Sequence, residues 1–234
     1  MNHCTKLLID LVNVDVDIEE EDKAVILLNS LLNDDYSRQC WVYTMKHKGQ
    51  VLKLFVEWKK NMEKYTGRKI KVLHSGNRGE YISDPVLQLC RDEGIEKHFT
   101  VRETPQQNVV AEKMNKTLLE KIRCMLSNAG ISKSFWAEAL AYTCHLVNKL
   151  PSSAIGGKTP PEVWSEKVAQ DYDSLWVFEC LAYYHIKEDK LDSRARKGMF
   201  VRFKKVVKGY KIWDPKDRKF ILSRDVTFDE ASIM

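Results

Sequence analysis

The sequence predicts a globular protein with a layered α/β fold, and three observations carry that prediction. Between residues 40 and 101, segments of strand-like composition alternate with segments whose apolar residues recur at helical spacing. Hydrophobic residues make up 44% of the 234 positions, enough for a sizeable buried core. No apolar run approaches the length of a membrane-spanning helix, and no secretory signal pattern is present, so we expect neither a membrane span nor secretion.

Residues 1–33 are predicted to form a helical appendage. Two apolar runs, residues 5–18 and 24–32, flank the acidic cluster Glu19–Asp22. Carboxylates just before an apolar run are typical of a helix start, because they meet the positive end of the helix dipole. We therefore expect an amphipathic helix with a solvated acidic face.

Five alternating elements are predicted between residues 40 and 101. Residues 40–45 are rich in aromatic and β-branched side chains, as strands are. Residues 49–65 carry apolar side chains at helical spacing and end at Gly67, and residues 69–74 form a short strand. Asp84 and Pro85 open a second helix that ends at Gly94, and residues 95–101 form the next strand.

Two long helices and a small group of strands are predicted in the rest of the chain. The first helix follows Thr104, with an apolar stripe on one face and Glu112, Lys116 and Glu120 on the other. The second covers residues 132–150 and stops at Pro151. Strand candidates at 180–186, 209–215 and 219–230, with a basic stretch at 187–205, predict a C-terminal β module.

Charge and cysteine usage narrow the function classes. Residues 1–37 hold two basic and nine acidic side chains, whereas the remainder holds 36 basic and 24 acidic ones. A basic domain of this size commonly meets a polyanion. The six cysteines are scattered and form no CxxC pair, which favours reduced thiols and a nuclear or cytoplasmic location over a disulfide framework.

Several motifs in order resemble the integrase of copia-type LTR retrotransposons, part of their Pol polyprotein. They are DDYSR at 34–38, SGNRGEY at 75–81, TPQQNVVAE at 104–112, and GYKIWDP with SRDVTFDE near the C-terminus. The resemblance implies an RNase H-like core, a mixed sheet flanked by helices, and an activity in DNA integration. It divides the chain into a gag-like appendage (1–33), a truncated integrase core (34–150) and a C-terminal extension with the β module (151–234).

The resemblance also implies a site in which three acidic side chains hold two divalent ions, Mg²⁺ or Mn²⁺. Glu112 matches the last family acid. The second family acid, an Asp, is replaced by Gly76, and the 35 residues between Gly76 and Glu112 keep the family spacing. No counterpart of the first acidic motif precedes Asp34, so we expect the usual first strand to be lacking, no metal ion to bind, and catalysis to be impaired.

The resemblance points to nucleic-acid contacts around Glu112. Basic and amide side chains near this helix face DNA in relatives, which makes Gln106, Asn108, Lys113 and Lys116 the contact candidates. The implied partners are DNA, bound through its phosphates without sequence preference, and further copies of the chain. Val109 and Glu179 replace family glycines, and a β-branched residue resists the positive φ that Gly tolerates.

Other interpretations of the same residues stay open. The chain could be an active polynucleotidyl transferase that uses non-family carboxylates such as Asp10 or Asp35. It could also be a non-catalytic interaction protein whose basic face docks partners. Without the surrounding motif, Glu112 is predicted to be a surface helix residue paired with Lys116, a contact that stabilises the helix by only a few tenths of a kcal/mol.

Overall fold

A computed structural model describes most of the chain. The described residues are 5–13, 24–32, 38–45, 47–67, 69–75, 84–99, 109–165, 172, 175–185, 195–204 and 208–233. Within them, the backbone alone is described for residues 5–13, 24–32, 48, 74–75, 84, 99, 109–112, 164–165 and 232–233. The chain divides into two compact units, one of residues 1–119 and 147–169 and one of residues 120–146 and 170–234.

The first unit contains a mixed five-stranded sheet. Its strands are β1 (Thr5–Asn13), β2 (Ala24–Leu32), β3 (Cys40–Met45), β4 (Ile70–Ser75) and β5 (Glu96–Phe99), in the order β3-β2-β1-β4-β5. β1, β2 and β3 form an antiparallel meander. β4 runs parallel to β1 and β5 runs parallel to β4. β1 is therefore the central strand, flanked by one antiparallel and one parallel neighbour.

The prediction of a helical N-terminal appendage is wrong, and so is the expectation that the first strand is lacking. Thr5–Asn13 and Ala24–Leu32 are both strands, and they pair with each other over nine residues. A nine-residue apolar run fits a buried strand as well as a helix, and periodicity alone does not separate the two. The gag-like character of this segment stays a prediction.

Two helices build the core of the first unit. They are α1 (Val51–Thr66) and α2 (Asp84–Asp92). Phe55 and Trp58 of α1 and Cys90 of α2 are buried in one cluster with Ile70 and Leu73 of β4. Gly67 ends α1 in the left-handed conformation, φ 67°, and its N–H donates to the carbonyl of Glu63. These elements follow the predicted alternation.

Three further α-helices lie within the described residues. They are α3 (Val109–Ala129), α4 (Trp136–Lys149) and the short α5 (Pro160–Ser165). In the first unit, Asn148 of α4 bonds the backbone of the edge strand β3. The Cys40 N–H donates to Asn148 Oδ1 at 2.9 Å, and Asn148 Nδ2 donates to the Cys40 carbonyl at 2.7 Å. This side chain satisfies backbone groups that an edge strand otherwise exposes.

The second unit carries an antiparallel five-stranded sheet. Its strands are β6 (Cys180–His185), β7 (Ala195–Lys204), β8 (Gly209–Asp214), β9 (Lys219–Ser223) and β10 (Val226–Ile233), in the order β10-β6-β7-β8-β9. A Cβ on Gly198 of β7 would lie 2.4 Å from Ile212 Cγ2 of the paired strand β8, so only glycine fits at this position. An aromatic cluster fills the core, with Phe228 stacked on Trp176 and edge-on to Phe200.

A buried polar contact fixes the turn between β8 and β9. The Tyr184 hydroxyl donates to Asp214 Oδ2 at 2.5 Å, and both residues are buried. The N–H groups of Lys216 and Asp217 donate to Asp214 Oδ1. Burial raises the pKa of Asp214, but these donors outweigh it and lower the pKa overall. Asp214 thus stays ionised and orders the turn.

Candidate functional site

The candidate site begins where β1 and β4 run side by side in the first sheet. Their parallel register ends at the pair Ile9–Ser75. Asp10 is the next residue of β1, opposite Leu27 of β2, and Gly76 is the next residue of the chain after β4. Asp10 of the central strand β1 therefore lies one position beyond Ile9, the residue that pairs with Ser75 at the end of β4. Gly76 itself lies outside the described residues.

The start of α3 carries the other candidate acid. Glu112 lies in the first turn of this helix, where the helix dipole favours a carboxylate. Val109 is the first residue of α3, and helical φ angles are negative. The predicted conflict between a β-branched side chain and positive φ therefore does not arise at Val109 itself.

The four predicted nucleic-acid contacts are described only in part. Lys113 and Lys116 lie on α3 and are exposed. Residues three apart on a helix are neighbours on one face, so the two ammonium groups share a face near the helix start. Gln106 and Asn108 lie outside the described residues, as do Asp34 and Asp35.

The donor set does not fit a two-ion centre. Hard divalent ions are held by carboxylate and other oxygen ligands, and a glycine side chain supplies none at position 76. Among the residues whose placement is described, no group of three or more His, Cys, Asp or Glu could hold a metal ion. The motif positions carry Glu112 and Gly76, and the strand beside β4 carries Asp10, the one acidic residue of β1.

Two cations of the second unit are ion-paired with one partly buried carboxylate. Glu138 of α4 lies 2.6 Å from Arg202 Nε and also contacts Lys211 Nζ. The side chain of Glu138 is 15% exposed, so the contact is screened less than a surface pair. Lys211 Nζ also lies 3.8 Å from the centroid of the Phe220 ring. The basic character of this unit is thus partly neutralised within it.

Glu179 is an unusual buried residue that the sequence indicated only through its replacement of a family glycine. Its φ is 63°, its exposed fraction is 2%, and Oε1 has no hydrogen-bond partner among the described residues. Burial raises the pKa of Glu179 to about 7. A buried carboxyl without a full set of partners destabilises the folded state when it is ionised.

No helix within the described ranges is both long and apolar enough to cross a membrane.

The comparisons with known proteins identify the class. Residues 180–234 match the family model of the retroviral polymerase SH3-like domain. The chain is 42% identical over 203 residues to the retrovirus-related Pol polyprotein from transposon TNT 1-94 of Nicotiana tabacum. That match covers 86% of this chain and 15% of the polyprotein. The corresponding polyprotein of transposon RE1 of Arabidopsis thaliana is 28% identical over 200 residues, which cover 84% of this chain and 13% of that protein.

A solved structure shares the fold. A chain in the cryo-EM structure of the simian T-cell lymphotropic virus intasome, in complex with PP2A regulatory subunit B56 gamma, superposes with a TM-score of 0.55 at 12% identity. The match covers 95% of this chain and 77% of that chain. The fold class is therefore integrase-like α/β. The chain is homologous to the retrovirus-related Pol polyproteins of copia-type plant transposons and spans a small part of the length of these relatives.

Proposed function

We propose that this chain is an integrase-like segment of a retrotransposon Pol polyprotein that binds DNA but does not catalyse strand transfer. The first unit corresponds to an RNase H-like core and the second carries an SH3-like module. DNA is bound through its phosphates, with Gln106, Asn108, Lys113 and Lys116 as the contacts. Mg²⁺ or Mn²⁺ is the ion that the family employs, and in this copy the ligands for a two-ion site are incomplete.

The observation that carries the proposal is the glycine that directly follows β4. The neighbouring strand supplies Asp10 and α3 supplies Glu112, so the elements expected to bear acids are present. Removing one ligand of a shared two-ion site leaves too few oxygens to stabilise both the attacking and the leaving oxygen. The exposed Lys113 and Lys116 of α3 support the nucleic-acid-binding part of the proposal, and Gly76 supports the loss of catalysis.

A second candidate function keeps catalysis and rests on Asp10. The sequence pattern gave this residue little weight because the surrounding family motif is absent. The fold places it on the central strand, at the level where β4 ends. An active transferase could then use Asp10 and Glu112 with a third ligand from elsewhere. The two functions make opposite predictions for the unmodified chain.

The test restores the missing ligand with Gly76→Asp. The wild-type chain should show no Mn²⁺-dependent nicking of a supercoiled plasmid. The Gly76→Asp variant should gain nicking by about 10-fold or more over background, since one carboxylate completes the ligand set. Glu112→Gln in the Gly76→Asp background should return activity to background, and Gly76→Asn is the matched control that adds bulk without a charge.

Each outcome of the nicking assay distinguishes the non-catalytic function from the catalytic one. Nicking by the wild-type chain that Asp10→Asn abolishes would establish the second function instead. Equal nicking by the Gly76→Asp and Gly76→Asn variants would show that the carboxylate is not what the site lacks. Circular dichroism of every variant verifies that a loss of activity is not a loss of fold.

A further inference from the structure

Two cations of the second sheet lie directly opposite each other. Phe200 of β7 pairs with Ile212 of β8 and Arg202 pairs with Lys211, so Val201 is an extra residue on β7. A bulge of this kind changes the direction in which the following side chain points. Like charges at a cross-strand pair destabilise a sheet. An anion that contacts both Arg202 and Lys211 therefore relieves their repulsion.

The anion between these cations is the side chain of Glu138, in the first turn of α4. Its Oε2 atom lies 2.6 Å from Arg202 Nε, and its Oε1 atom accepts a hydrogen bond from Lys211 Nζ. The carboxylate thus uses a separate oxygen for each cation. Arg202 and Lys211 together form an anion site, and the chain fills it with its own carboxylate.

The contact between Glu138 and Arg202 is close but poorly directed. Glu138 Oε2 and Arg202 Nε are both buried, and neither atom has a hydrogen-bond partner among the described residues. A buried donor without an acceptor destabilises the folded state, so an anion that accepts this N–H at a better angle gains binding energy. The side chains of Arg202, Lys211 and Glu138 are 28%, 14% and 15% exposed, so solvent reaches the site.

We propose that Arg202 and Lys211 form a binding site for a phosphate group, and that Glu138 competes with phosphate for this site. A phosphate offers several anionic oxygens on one atom, and it binds arginine and lysine through charge-assisted hydrogen bonds. When it binds, the phosphate takes over both cations and the Glu138 side chain turns toward solvent. The phosphate is either a free ion or part of a nucleic-acid backbone, and the second case rests on the DNA binding proposed above.

A purely structural role for Glu138 makes a different prediction. If the carboxylate only stabilises the packing of α4 on the sheet, Glu138→Gln weakens the fold and phosphate does not restore it. If Glu138 is a competitor, the same substitution leaves two cations without their anion, and phosphate replaces the lost carboxylate. Glu138→Gln is the appropriate change because it keeps the size of the side chain and removes its charge.

The first experiment follows thermal unfolding of the full chain in inorganic phosphate and in chloride at equal ionic strength. Phosphate should raise the melting temperature of Glu138→Gln by about 2–4 °C more than that of the wild type, because the ion binds only the folded state. Asp225→Asn is the matched control, since it removes an exposed carboxylate from the same unit. Adding Arg202→Gln and Lys211→Gln to Glu138→Gln should abolish the additional gain.

The second experiment measures binding of the same variants to a duplex oligonucleotide by fluorescence anisotropy. Glu138→Gln should bind at least about 5-fold more tightly than the wild type at low salt, with a slope of log affinity against log salt that is steeper by about 1. Asp225→Asn should change the affinity by less than about 2-fold, because it changes the net charge without opening the site.

The two ligands distinguish the source of the phosphate. A gain with the duplex identifies a nucleic-acid phosphate as the ligand, and a gain with inorganic phosphate alone identifies a free ion. The proposal is overturned if Glu138→Gln gains with neither ligand, if Asp225→Asn gains as much, or if the gain survives the loss of Arg202 and Lys211. A chain that binds no DNA but shows the phosphate effect would refute the proposed function and leave this site standing.

Discussion

Glu179 destabilises the fold through both its backbone conformation and its buried carboxyl. A non-glycine residue at positive φ costs on the order of 1 kcal/mol, and a buried carboxyl without a full set of partners costs more when it is ionised. Its N–H still donates to the Phe200 carbonyl at 2.8 Å, which holds the local backbone in place. The surrounding aromatic core therefore determines a conformation that this side chain does not favour.

The pH dependence of unfolding should reveal this carboxyl. The folded pKa of about 7 exceeds the ordinary value of 4.5, so the folded state binds the proton more tightly. The free-energy cost of ionising the buried Glu179 carboxyl in the folded state is small near pH 5. It grows as the pH rises and reaches its full value above pH 7. Urea unfolding should show that the wild type loses about 2 kcal/mol relative to Glu179→Gln between pH 5 and pH 8.

Glu179→Gly should stabilise the second unit further, because it removes both the charge and the strained φ. At pH 8 we expect a gain of about 2–3 kcal/mol over wild type, and at pH 5 a gain of about 1 kcal/mol. Equal gains at both pH values would show that the charge contributes nothing. A loss of stability would show that packing of the side chain outweighs both effects.

At the scale of elements, one buried lysine connects three parts of the first unit. Lys59 of α1 is 4% exposed, and its Nζ lies 2.9 Å from both Glu63 and Glu93. Glu63 Oε1 also accepts the N–H of Ile70, the first residue of β4, at 3.1 Å. Burial lowers the pKa of Lys59, but the bonds to Glu93 and Glu63 outweigh it and raise the pKa overall.

Lys59→Met should therefore lower the free energy of unfolding by about 2 kcal/mol at pH 7, because it leaves two carboxylates without their cation. Lys60→Met on the same helix is the control, since Lys60 is exposed, and it should change stability by less than about 0.5 kcal/mol. The pKa of Glu93 is lowered by its bond to Lys59, so this stabilisation is lost as the pH falls. The difference between wild type and Lys59→Met should shrink below pH 4 in thermal melts.

The elements that the sequence predicted well are those with strong periodicity or clear ends. Residues 49–65 were predicted as a helix and α1 is Val51–Thr66, while residues 40–45 were predicted as a strand and β3 has those bounds. β7 was missed because basic residues dominate its composition and hide the buried positions Phe200 and Val201. β1 and β2 were misassigned because a run of apolar residues does not by itself select a helix or a strand.

The candidate site depends on long-range strand pairing within the first unit, which limits what the sequence could reveal. Glu112 and Gly76 were found through motif spacing, a local property of the chain. Asp10 gained its significance from the register of β1 with β4, whose residues are more than 60 positions away. Such long-range pairing leaves no mark in a local pattern, so the presence of an acid on the central strand emerges only from the topology.

The DNA binding proposed for this chain would involve the face of α3 that carries Lys113 and Lys116, and its salt dependence tests that proposal. If Lys113 and Lys116 each contact a phosphate, Lys113→Gln with Lys116→Gln should reduce the slope of log affinity against log salt by about 2. Lys53→Gln with Lys60→Gln is the matched control, because it removes two exposed cations from α1 and leaves α3 intact. Equal changes in slope for both pairs, measured by fluorescence anisotropy on a duplex oligonucleotide, would mean that net charge rather than the face of α3 governs binding. A reduced slope for the α3 pair alone would place the phosphates along the helix that bears Glu112.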